Sequence, residues 1–139
     1  MKAINFLVTL FVLSAVLCSS PATSETSKPG QFVRHMVSVK FKETTTPEQV
    51  QQVLSAFKDM KTGIPEIYAM EFGPDVSIEH KNKGFTHGFL LTFANEKDRD
   101  SYLVHPVHKN FLTFAKPLLD DIFVIDILTA APDKKINKT

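Results

Sequence analysis

Tryptophan is absent from this chain of 139 residues, and cysteine occurs only once. No disulfide can staple such a chain, so core packing alone must hold it. Neither sign of charge dominates: 16 Lys and Arg against 15 Asp and Glu leave a net charge of +1. The sequence therefore offers no basic face for nucleic acid or for an anionic membrane surface. No internal repeat of solenoid length is present, and no apolar run outside the first residues approaches a membrane span. What remains is ordinary globular composition, 43% hydrophobic and 22% charged, with twelve phenylalanines to build a core. It excludes an intrinsically disordered chain and suits one domain of modest size.

The N-terminus reads as a targeting segment. Met1 and Lys2 give a positive start, and Phe6 to Leu17 is apolar apart from Thr9 and Ser14. That length suits a signal-peptide core better than a bilayer span. Small residues follow at Cys18, Ser19, Ser20 and Ala22, so residues 1–22 are expected to be removed, with the cut after Cys18 or Ala22. Cys18 leaves with them, and the loss of Lys2 brings the net charge to zero. The protein is expected to be secreted or periplasmic, with no membrane association after cleavage. Residues 23–31 (TSETSKPGQ) are read as a flexible lead, 32–130 as the folded domain, and 131–139 as a disordered polar tail.

Within the domain, Phe32 to Phe41 alternates, with Val33, His35, Val37, Val39 and Phe41 on one face, which predicts a strand. Thr46, Pro47 and Gln49 predict a capped helix start, and Val50, Val53, Leu54, Phe57 and Met60 form its apolar stripe. Gly63 is read as a left-handed stop before Pro65. Glu66 to Phe72 and Thr86 to Phe93 predict two further strands. Asn95 caps a second helix, which breaks at His105 because Pro106 pushes the preceding residue out of the helical region. A new turn runs from Pro106 to Lys116, and Ile122 to Leu128 is the last strand. This β-α-β-β-α-β order is the ferredoxin-like arrangement, an α+β fold with both helices on one face of a four-stranded antiparallel sheet.

The last strand is apolar on both faces: Phe123, Ile125 and Ile127 alternate with Val124, Asp126 and Leu128. Two apolar faces need two covers. Helices supply one, and a second copy of the sheet is the simplest other, so a homodimer closed by sheet packing is expected. A monomer would expose a large apolar patch.

Six residues stand out as chemistry. His35 and His87 share strand faces with apolar rows. His105 and His108 flank Pro106, and Tyr102 lies one turn earlier. Asp126 is a carboxylate in an apolar strand, costly unless paired. Pairing it with His108 would fix the imidazole tautomer and leave the other nitrogen as a base, with Tyr102 as donor to a carbonyl or enolate oxygen. Each residue also has a plain structural reading: core histidines with backbone partners, and a buried ion pair. His35, His87, His108 and Asp126 also carry zinc-donor chemistry. However, His105-Pro-Val-His108 is not a familiar ligand spacing and no cysteine helps, so no metal and no other cofactor is expected.

At these residues the sequence resembles the stress-responsive dimeric α/β-barrel (Dabb) family. The signatures are Arg34-His35-Met-Val with Lys40-Phe41-Lys42, Phe72-Gly-Pro-Asp75-Val-Ser77, Gly84-Phe-Thr-His87, Tyr102 with His105-Pro-Val-His108, and Val124-Ile-Asp126, across residues 33–128. The resemblance implies a ferredoxin-like protomer and a dimeric α/β barrel. The family's plant polyketide cyclases close a linear chain by aldol condensation. Their catalytic residues fall on Tyr102, His108 and Asp126, and their pocket histidines on His35 and His87. The TTPEQV helix start and the PLLDDIFVID ending look more like bacterial members. The function expected is an exported protein binding a small organic ligand between sheet and helices, with possible cyclase-like lyase activity. The alternative is a non-catalytic dimeric stress-response or interaction protein. A monooxygenase on the same fold has no direct support from this pocket.

Overall fold

The computed structural model describes residues 30–130, so the segment read as a signal peptide, most of the expected lead and the expected tail at 131–139 lie outside the described residues. Strand β1 (Gln31–Phe41) is followed by helix α1 (Pro47–Gly63), strands β2 (Ile67–Pro74) and β3 (His87–Phe93), helices α2 (Glu96–Val104) and α3 (Pro106–Ala115), a short turn of tighter helix at Lys116–Leu118, and strand β4 (Leu119–Ala130). Gln31, read as part of the lead, already pairs in the sheet opposite Ala130. Among the described residues, no helix is long and apolar enough to cross a membrane.

The sheet is antiparallel, in the order β2-β3-β1-β4. It is open: β2 and β4 are edges, and no pairing joins them. The expectation of an α/β barrel is therefore corrected. The chain forms a ferredoxin-like open sheet with its helices on one face, because four strands in this order leave two edges unpaired.

The helix-side residues of the two central strands make the core. Val33 and Val39 of β1 and Phe89, Leu91 and Phe93 of β3 meet Phe57, Met60 and Ile64 from α1 and its end. Burial of these side chains supplies the main stabilisation, roughly 1.5–3 kcal/mol for each large one. The start of α1 follows the predicted capping box: the Gln49 amide donates to Thr46 Oγ1 at 3.3 Å, and the Thr46 amide donates to Gln49 Oε1 at 2.9 Å.

The end of α1 differs from expectation. Gly63 is the last helical residue rather than a left-handed cap, and Ile64 caps in extended conformation. Gly63 serves packing instead. A Cβ there would meet Val107 at 3.2 Å, so glycine allows α3 to approach α1 closely.

Candidate functional site

The kink between α2 and α3 builds the site. His105, forced to φ −62 and ψ 135 ahead of Pro106, caps both helices, and its Nδ1 accepts from the Val107 amide at 3.2 Å. The kink sets the last turn of α2 beside the first turn of α3. Tyr102 and His108, both buried, stack with ring centroids 4.1 Å apart. The His35 ring from β1 also meets Tyr102, edge-on at 5.9 Å. A tyrosine thus touches two histidines.

These three residues and Asp126 line a cavity of about 330 Å³ between sheet and helices. Its other walls are mainly apolar, with Val37, Phe57, Phe89, Phe111 and Val124 among them. Burial drives His108 below its usual range, with smaller opposing and reinforcing effects from the Leu103 carbonyl, His35 and Lys116. The Leu103 carbonyl lies 3.3 Å from His108 Nδ1. A carbonyl oxygen can only accept, so Nδ1 carries the proton and the neutral ring keeps Nε2 as its lone pair. Burial pushes the Tyr102 phenol well above its usual value, so it stays a donor.

The structure corrects the expected partner of Asp126. It faces the helix side, as the acid–base reading required, but its Oδ1 lies 2.6 Å from Nδ1 of His35, not of His108. The two residues are paired directly across β1 and β4, so the register places them side by side. The second oxygen, Oδ2, accepts from the guanidinium of Arg99 on α2. Burial works against the Arg99 charge, but the Asp100 and Asp126 carboxylates outweigh it, and its pKa rises. Arg99 is thus a site residue that sequence reasoning missed. The signal was present: it stands three residues before Tyr102, on the same helix face, and a carboxylate in an apolar strand calls for a cation.

His87 is corrected too. It lies on the helix-side face of β3 but does not line the cavity with His35, Tyr102 and His108. It borders instead a hollow at that end of the sheet, formed with the loop at 75–86. Its ring sits edge-on to Phe41 at 5.3 Å, and Nδ1 lies 3.0 Å from Thr86 Oγ1. At the end of the strand, the residue is too far along the sheet to reach the cluster. Among the described residues, no group of three or more His, Cys, Asp or Glu side chains is arranged to hold a metal ion.

Comparison with known proteins agrees with this fold. The family model described as Stress responsive A/B Barrel Domain (Dabb) matches residues 33–128. The chain is 33% identical over 94 residues to the stress-response A/B barrel domain-containing protein HS1 of Arabidopsis thaliana, covering 68% of this chain and 86% of that protein. It is 26% identical over 94 residues to olivetolic acid cyclase of Cannabis sativa, covering 68% and 93%. A dimeric ferredoxin-like protein of unknown function from Thermobifida fusca superposes with a TM-score of 0.61 at 28% identity, covering 73% of this chain and 92% of that one.

Proposed function

This chain belongs to the Dabb family of stress-responsive A/B barrel domain proteins, and from that premise we propose that it is an exported homodimer that binds a small carbonyl compound in its helix-side cavity and acts on it by cyclase-like acid–base chemistry. The observation that carries this reading is the buried Tyr102 in ring contact with both His35 and His108 on the wall of a mainly apolar cavity. Nε2 of neutral His108 takes the proton from the carbon next to a carbonyl, and the Tyr102 hydroxyl donates to the oxygen that becomes an enolate. In an aldol closure, the enolate carbon then bonds to a second carbonyl carbon of the same molecule, whose oxygen receives the proton. Asp126 acts through His35, fixing Nδ1 as donor and leaving Nε2 free. His87 takes no part in this scheme.

Dimerisation is supported by the outer sheet face, where Met36, Phe123, Ile125 and Ile127 are exposed side by side. The Thermobifida fusca relative is itself dimeric. Export rests on the apolar segment at Phe6–Leu17. The exposed face also favours a second reading, in which the dimer alone is the functional object and the cavity does no chemistry.

Deuterium exchange at the central carbon of a small β-diketone, followed by NMR, separates the two. The wild-type protein should accelerate exchange, and His108→Ala and Tyr102→Phe should lose most of that acceleration. Equal rates for wild type and His108→Ala would leave the non-catalytic dimer.

A further inference from the structure

The cavity has two chemically different ends, and three elements measure the distance between them. On β1, His35 lies at one end and Val39 at the other, four residues apart, or about 13 Å along a strand. On α3 and the turn that follows, His108 and Lys116 are eight residues apart, or about 12 Å along a helix. Strand β4 runs the opposite way, from Leu119 and Ile122 beside Lys116 to Asp126 beside His35.

The polar groups converge at one end, the middle is apolar, and Lys116 marks the other end. Lys116 makes no ion pair among the described residues. A helical side chain leans toward the helix N-terminus, here back toward His108. The charge of Lys116 does reach His108, where it helps to keep the imidazole neutral. Lys116 lines both this cavity and a surface hollow beside Lys109 and Thr113, and a carboxylate in the cavity would draw its ammonium inward. At the opposite end the Asp126 carboxylate is already engaged by Arg99 and His35, which leaves Lys116 as the unpaired charge on the cavity wall.

Resting on the carbonyl-binding reading above, we propose that the cavity takes a medium-chain oxo acid lengthwise, its carboxylate at Lys116, its alkyl chain along Val37, Phe57 and Phe111, and its far ketone at Tyr102 and His108. A volume of about 330 Å³ suits such a slim ligand. Charge sets the direction, and the apolar walls supply most of the affinity. The lysine end is solvent-exposed, so its contribution is modest and salt-sensitive.

The probes are octanoate and decanoate carrying a ketone on the penultimate carbon, each beside its methyl ester. They are titrated calorimetrically into the full chain and into Lys116→Met, in dilute buffer and in high salt, with the His108 ring signals followed by NMR. At least one acid should bind wild type about fivefold more tightly than its ester in dilute buffer. That advantage should vanish in high salt and in Lys116→Met. An ester that binds as well as its acid, or an acid advantage that survives Lys116→Met, overturns the assignment. If the esters still move the His108 signals, the carbonyl-binding reading stands while this one fails. If no probe moves them, both fail.

Discussion

Strands β3 and β4 are both rich in large apolar side chains, yet they meet opposite fates. In β3, Leu91 and Phe93 are 0% exposed. In β4, Phe123, Ile125 and Ile127 remain 53%, 43% and 41% exposed, and the helix-side Val124 is 48% exposed. Composition does not separate them; position does. Leu91 and Phe93 face the helices, whereas Phe123, Ile125 and Ile127 face away from them, as does the exposed Met36 of central β1. Val124 faces the helices but lies on an edge strand, where it lines the cavity with Asp126. The core strand holds the fold together, and the edge strand brings Asp126 to the site and supplies most of the candidate dimer face.

Removing an anchor from each strand should expose the difference at its largest. Phe93→Ala should cost about 3–5 kcal/mol, because the helices cannot collapse into the hole. Ile127→Ala should cost under about 1 kcal/mol at low protein concentration. Urea unfolding at two concentrations checks both values. A cost for Ile127→Ala that grows with concentration sharpens the contrast, because a partner then covers β4 in solution.

Ile125→Asp comes next. It should leave the protomer folded but abolish association, since it would place an unpaired charge between two sheets, at a cost of about 3 kcal/mol or more to the dimer. Light scattering should give twice the chain mass for wild type and the single mass for the variant. An unchanged doubled mass in the variant would move the interface off this face.

These three variants touch what was legible in the sequence. Period-two alternation and the capping box located the elements to within a few residues, because both are local signals. The break at His105 was equally local, a consequence of Pro106. Pairings across the sheet were not local. Asp126 was matched with His108 through the chemistry of tautomers, while its actual neighbour, His35, follows from β1 lying beside β4. The ferredoxin-like order contains that adjacency, so register rather than reactivity was the better guide. Strand β4 also begins three residues earlier than predicted. Asp120 looks like a loop residue in sequence, but it forms an ion pair with Lys40 at 2.7 Å along the exposed edge. The role of Gly63 could not be read either, since it depends on where α3 docks.

Arg99→Leu tests the electrostatic side of the edge strand. It would leave Asp126 Oδ2 without its cation in a site where both side chains are mostly buried. We expect a loss of about 1–2 kcal/mol, partly recovered in Arg99→Lys, which restores the charge without the planar fork. The more telling readout is the lysine variant. If Asp126 needs a cation, Arg99→Lys recovers stability that Arg99→Leu loses, and a lysine variant no more stable than the leucine one would reduce Arg99 to a packing residue.

The smallest effect concerns His108, which lines the cavity with Asp126 of the edge strand and is held neutral. Burial is the main cause, and His35 from β1 and Lys116 at the far end oppose its protonation, while the Leu103 carbonyl favours it. Tyr102 on α2 stacks against the ring, and Asp126 on β4 is engaged by His35 and Arg99. Because the folded pKa lies below the unfolded value of about 6.5, the unfolded chain binds more protons over the interval between them. Stability from this group is therefore fully present above about pH 6.5 and declines as pH falls toward the folded pKa. His108→Phe keeps the aromatic stack and removes the titration. Its unfolding free energy should fall less steeply than that of wild type as pH is lowered from neutrality, even though His87, whose pKa burial also lowers, contributes in the same direction to both proteins. Catalysis should follow the same group from the other side: exchange of a β-diketone proton should persist below pH 6.5 and fade only as His108 takes up its proton. Parallel pH profiles of stability for wild type and His108→Phe would mean that the ring takes up its proton as readily in the fold as in the unfolded chain, and burial would then not be what keeps it a base.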